Sequence, residues 1–190
     1  MHAAAEQRRL TGNLIRLGTV AEVDHADARC RVTTGALTTG WVPWLVPRVG
    51  TTIEWSAPSV GEQGVVLCPD GDTSGAVFLR GMYSDALPPP AADAAVHLVR
   101  YPDGTTLRYD ATAHALDAVL CSGGSASITA SGGVTINADT TINGNVQVNG
   151  DIQATGTATV ATDVIGGGIS LKSHTHGGVD AGTDSTGAPQ

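Results

Sequence analysis

Residues 134–164 read VTINADTTINGNVQVNGDIQATGTATVATDV. The stretch has no aromatic residue, no Lys, no Arg and no Pro, and it places Gly at 144, 150 and 156. It is too apolar for a linker and too rich in β-branched residues for a helix. Cut every six residues, it becomes VTINAD, TTINGN, VQVNGD, IQATGT, ATVATD and VIGGGI. Asn recurs at the fourth place, Gly at the fifth, and a polar residue usually fills the sixth. Hexad repeats of this kind are a signature of β-helices.

Parity says more. From 128 to 164 every even position is Ile, Val, Ala, Gly or Thr. The odd positions are Thr, Asn, Asp, Gln or Ser, with Gly133 and Ala161 as exceptions. Side chains alternate faces along a strand, so one face is small and apolar and the other is wet. Gly144, Gly150 and Gly156 all fall on the inward parity, where they mark corners at which the strand bends. A bend every six residues makes a strand that winds.

A lone winding strand leaves its backbone edges unpaired. Stacked coils of one chain need roughly 20 residues per turn and bulky aliphatics. This repeat is too short for that, and its inward side chains are too small. Three chains wound on one axis solve both problems, because each strand pairs with the other two. The expectation is an intertwined homotrimeric β-helix needle. A monomeric antiparallel sheet with a polar outer face is the plainer alternative.

Downstream, GGGISLKSHTHGGVDAGTDSTGAPQ opens with Gly166, Gly167 and Gly168, expected to loosen the winding. His174 and His176 follow, both even, so a parity that persists points both imidazoles at the axis. Two His from each of three chains make six nitrogens around one point. That octahedral set suits a first-row transition metal, and six-coordination favours iron over zinc. With no open position, such a site is structural. The alternative is two solvated strand histidines. HTHGGVD superficially resembles the HxHxDH motif of metallo-β-lactamase-like hydrolases, but Gly177, Gly178 and Val179 intervene and no further His follows. Lys172 is also even and suits an anion on the axis. Asp163 and Asp180 suit a hard cation such as calcium, or plain solvation.

Upstream the chain changes character. Residues 3–17 (AAAEQRRLTGNLIRL) predict a short amphipathic helix, with Leu10, Leu14 and Leu17 on one side and Gly12 weakening it. Between 18 and 84, GTVAEVD, ARCRVTT, GWVPWLV, TTIEWSAP, QGVVLCP and AVFLRGMY read as short strands separated by turn residues. Five or six such strands without a central helix predict a small OB-fold barrel. Trp41, Trp44, Trp55, Phe78 and Tyr83 are its large aromatics. Residues 85–95 (DALPPPAADAA) form a stiff Pro-rich linker, and residues 96–121 alternate as a three-stranded β-meander. The organisation is therefore an N-terminal arm or short helix (1–17), an OB-fold domain (18–84), a linker (85–95), a β-meander and trimeric β-helix (96–168) and an apex (169–190). The fold class is all-β.

Composition agrees with this division. Only 15% of residues are charged and 4% aromatic, while 25 of 190 are Gly, too few large side chains for one conventional core. The net charge of −8 argues against nucleic-acid binding, which leaves a basic footprint. No run reaches the ~18 apolar residues of a membrane helix. The start, MHAAAEQRRL, lacks a signal-peptide core, so assembly in a cytoplasm is expected. Cys30, Cys68 and Cys121, odd in number and far apart, are expected as free thiols.

Taken together, GTVAEVD, GWVPWL, PSVGEQGVVLCPDGDTSGAVFLRGMYSDALPPP, YPDGTTLRYD and ISLKSHTHGGVDAGTDSTGAP resemble the gpV-type baseplate assembly and tail-spike proteins of contractile-tailed phages. The order spans nearly the whole chain. The resemblance implies a trimeric membrane-piercing spike with an N-terminal OB-fold, a β-helical needle, and an apex where three HxH pairs bind one iron ion. By position the ligands are His174 and His176. Family apices also hold calcium and chloride, with no ligands assignable here.

The expected function is structural: the central spike of a contractile tail baseplate, at the tip of the virion's tail, driven through the host outer membrane. Its partners are two further copies, the baseplate hub or tail tube and, transiently, that membrane; nucleic acid is not among them. It is not expected to be an enzyme. A polysaccharide-degrading tailspike needs a groove with paired carboxylates, whereas Asp139, Asp151 and Asp163 recur every twelve residues on the wet face. A receptor-binding tip is a further alternative, though this one has no aromatic. A type VI secretion-like spike shares the architecture.

Overall fold

A computed structural model describes residues 2–175 together with Gly178 and Gly182. Its regular elements are mostly strands, with one α-helix and two short 3-10 helices among the described residues, and it divides into two units, Met1–Ile128 and Thr129–Gln190.

The first unit begins with α1 (His2–Asn13), carrying an exposed Glu6–Arg9 ion pair. The helix stops short of Leu17 because Ile15 and Leu17 enter the long strand β1 (Ile15–Asp24), whose inward positions Gly18 and Val20 alternate with outward ones. At its end the Asp24 carboxylate accepts the amides of Ala26 and Asp27, which turns the chain. β2 (Arg29–Thr34) then returns with Cys30, Val32 and Thr34 inward. β3 (Leu37–Thr38) and β4 (Val42–Pro43) both pair with β2, while β5 (Gln63–Leu67) pairs with β1 and β6 (Val77–Met82) with β5. A parallel bridge between Trp44 and Phe78, with the Leu45 amide donating to the Phe78 carbonyl at 2.9 Å, links the two ends of the sheet into a barrel.

The core is Val20, Cys30, Val32, Val42, Trp44, Val66, Cys68, Ala76 and Phe78. Gly64 makes room for it, since a Cβ there would strike the Phe78 ring and the Leu79 carbonyl. Gly71, at φ +73°, does the same for α1, because a Cβ would run into the Leu10 backbone.

Of the five large aromatics, the core takes only Trp44 and Phe78; Trp41, Trp55 and Tyr83 are exposed. TTIEWSAP forms no strand beyond a single Val49–Ile53 bridge. Trp55 instead sets its ring edge-on to Trp44, 5.7 Å between centroids, and that packing replaces a ladder. Cys30 and Cys68 are buried free thiols, and burial pushes Cys30 up to about 11.

The same unit holds the meander, β7 (Val96–Arg100), β8 (Thr106–Asp110) and β9 (Ala115–Val119), with β8 central. Asp103 caps its first turn by accepting the Thr105 amide, with Gly104 at φ +90°. Asp110 caps the second by accepting the Thr112 and Ala113 amides, with His114 at φ +53°.

In the second unit no strand lies between 129 and 164, and residues 129–162 are all exposed. Even-position aliphatics stand in the open: Ile136 is 67% exposed, Ile142 60% and Ile152 80%. One chain alone therefore forms neither a needle ladder nor the monomeric sheet. Its only strands among the described residues are β10 (Ile165–Gly166) and β11 (Ile169–Ser170), an antiparallel hairpin. No helix among the described residues is long and apolar enough to cross a membrane.

Candidate metal centre

The glycine run does not loosen the chain; it reverses it. Gly166 pairs with Ile169, leaving Gly167 (φ +59°) and Gly168 (φ +87°) as the two central turn residues. Left-handed φ at both centres is the requirement of a type I′ hairpin turn, and glycine meets it without a Cβ penalty. Ile165 then faces Ser170 across the pair. Directly opposed residues share a face, so an odd position before the turn matches an even one after it. Parity does not carry through to His174, because the even-inward register ends at Gly167.

What positions His174 is a turn of its own. Its amide donates to the Ser170 carbonyl at 3.1 Å, and its ring Nδ1 lies 2.8 Å from the same oxygen. A carbonyl only accepts, so the proton in that contact sits on Nδ1 and the lone pair of the neutral ring is on Nε2. Metal-bound histidines commonly show this pattern, one nitrogen donating to a carbonyl while the other ligates. His174 is exposed at the surface. An imidazole held in this way has the chemistry that a transition metal takes.

The second histidine, His176, lies outside the described residues, as does Asp180. Among the described residues no group of three or more His, Cys, Asp or Glu converges. Lys172 is exposed, and its amide donates to the Asp163 carboxylate at 3.1 Å. Asp163 also accepts the Val164 amide at 2.8 Å. Its carboxyl is held below the usual carboxylate range, first by the Ser170 hydroxyl and then by backbone amides.

Sequence reasoning left Asp163 as a calcium ligand or a solvated acid beside Asp139 and Asp151 and missed this role. The available signal was its place immediately before VIGGGIS, where a carboxylate can accept the amides of a hairpin's two arms.

An apolar depression beside the meander, lined by Tyr101, Pro102, Asp103, Thr105, Leu107 and Leu120, contains one carboxylate. That group, Asp103, is occupied by Thr105 and by the Cys121 thiol at 3.3 Å.

Residues 16–83 match a family model described as the type VI secretion system/phage-baseplate injector OB domain. Residues 168–190 match the GpV apex motif. The chain is also 40% identical over 127 residues to the spike protein of Escherichia phage P2, a match covering 67% of this chain and 59% of that protein. The chain thus spans less than two thirds of that relative's length. An injector OB domain followed by a GpV apex motif, with this identity to a phage spike, makes the chain a member of the gpV-type baseplate spike proteins.

Proposed function

We propose that the chain is the central spike of a contractile tail baseplate, a homotrimer whose needle pierces the host outer membrane and whose tip is pinned by one metal ion. The observation that carries this reading is the exposed small-apolar stripe of residues 129–162. These residues are too apolar for a solvated linker and have no strand partners within one chain. Buried in a threefold bundle, Ile136, Ile142, Val146, Val148 and Ile152 gain a dry core, and their backbones gain ladders. The wet face of Thr, Asn, Asp and Gln keeps the bundle soluble.

At the tip, His174 and His176 from each chain would hold iron in six-coordination. When bound, the ion supplies cross-linking of three chain ends and no open position for chemistry. Calcium or chloride would be accessory. The chain's own part is positional: the 167–168 turn reverses the backbone, and Ser170 sets the ring. Strand ladders shared by three chains resist buckling, and joined termini resist fraying. The barrel would join the needle to the hub or tail tube, which places the protein at the tip of the virion's tail. A second reading is a type VI secretion spike, favoured by the OB domain family, which serves both machines.

The test is mass and iron content on untagged protein. A trimer with one iron per three chains is expected, and His176→Ala should stay trimeric while losing the iron. A monomer overturns the needle. An iron-free trimer, or unchanged iron in His176→Ala, overturns the pinned tip.

A further inference from the structure

We infer that Asp163 is a positioning residue for the tip: it clasps the two arms of the 164–172 hairpin so that Ser170 holds the His174 ring in one tautomer. The consequence for metal rests on the reading above; the clasp itself does not.

Asp163 Oδ1 accepts the Val164 amide where the first arm begins and the Lys172 amide where the second ends. Between them the Leu171 amide donates to the Val164 carbonyl at 2.9 Å, so a single carboxylate oxygen closes the hairpin. The second arm delivers Ser170. Its carbonyl accepts both the amide and the ring Nδ1 of His174, and its hydroxyl accepts the Ser173 amide at 2.9 Å. The Ser173 hydroxyl lies 2.9 Å from that same hydroxyl. Ser170 is thus fixed from the His174 side by the turn and from the needle side by the clasp. The depressed carboxyl of Asp163, with the Ser170 hydroxyl as its largest cause, agrees with this arrangement. Asp139 and Asp151 occupy the same place in earlier hexads and are exposed, whereas Asp163 is half-buried. The repeat's third acid has been put to a different use from the first two.

A metal takes the lone pair of the neutral ring, so a ring locked with its proton on Nδ1 is set up to ligate through Nε2. Without the clasp the Ser170 carbonyl drifts and the ring samples both tautomers. Loss of an outer partner weakens metal binding by about 10–100-fold. Asp163 acts through Ser170, so the lower end, about tenfold, is expected.

The experiment uses full-length Asp163→Ala, Asp163→Asn and Asp151→Ala. It reads oligomer mass, iron retention against a competing chelator, and the nitrogen shifts of the His174 ring in metal-free protein, assigned by difference from His174→Gln. Asp163→Ala should remain trimeric, hold iron about tenfold more weakly and lose the Nδ1–H preference. Asp163→Asn keeps an oxygen for the two amides and should retain both properties, and Asp151→Ala should match the parent. Parental iron retention and parental tautomer in Asp163→Ala overturn the inference. If the parent itself binds no iron, the metal reading falls and the tautomer alone decides: unchanged in Asp163→Ala, it overturns the clasp; shifted, it upholds it. Should Asp163→Ala fail to assemble, Asp163→Glu takes its place with the same expectations, since its carboxylate is displaced by one methylene.

Discussion

Phe78 and Ile142 represent two uses of an apolar side chain in one protein. Phe78 is fully buried, faces a glycine that leaves room for its ring, and sits at the seam where the barrel closes. Ile142 is 60% exposed in a segment with no strand of its own. Around Phe78 the chain supplies bulk, and one copy suffices to bury it. Around Ile142 it supplies only Val, Ile, Ala, Gly and Thr at alternate positions, small side chains that shield one another when backbones crowd together. The barrel is written for one chain, and the needle segment, on the reading proposed, is written for three.

The comparison breaks most sharply at the needle. Ile142→Asp places a charge on the inward parity of every copy, where an unpaired buried charge is strongly destabilising. The expected outcome is loss of the trimer by mass, with the barrel's thermal transition intact. Thr141→Asp, one residue away on the wet face, should leave the trimer unchanged. Equal behaviour of the two variants would remove the parity argument.

Phe78→Ala tests the other side. Deleting a fully buried ring costs about 3–5 kcal/mol, so calorimetry should show a large drop in the barrel transition. Any separate transition of the needle should hold its temperature.

The smallest effect sharpens the meander. The Asp103 carboxyl is lowered chiefly by the Thr105 amide, with the Cys121 thiol next, and that of Asp110 chiefly by the Ala113 amide, with Arg108 next. Depressed carboxyls stabilise above the ordinary carboxylate range, and the contribution is lost as pH falls through their lowered values. Amide protection at Thr105, Thr112 and Ala113, corrected for intrinsic exchange, should therefore hold at neutral pH and fall below about pH 4. Asp110→Asn should flatten the fall at Thr112 and Ala113 alone.

Much of the barrel and meander was legible because period two and turn chemistry are local properties. GTVAEVD, ARCRVTT and QGVVLCP each overlap an observed strand, and the PDGT and DATAHA turns fall where they were read. TTIEWSAP was misread because its alternation served a Trp44–Trp55 ring contact, a tertiary event that pattern cannot display. The apex was legible as a motif, matched over residues 168–190, and not in direction. Counting parity works only along one unbroken strand, and two left-handed glycines end that count. Asp163 was read as a calcium ligand or a solvated acid, and its use as an acceptor for two backbone amides was hidden because that depends on a hairpin the repeat does not announce.

The spread of aromatic residues has a spectroscopic consequence. All three Trp lie between 41 and 55, and nothing after Tyr109 absorbs as an aromatic. Aromatic absorbance and fluorescence therefore come from the first unit alone, whose Trp44–Trp55 pair is close enough for its fluorescence to respond to barrel opening. The repeat and the apex are dark. A melting curve followed by Trp emission will report a single cooperative event even when the other half of the chain is intact, and only backbone-based probes will register the rest.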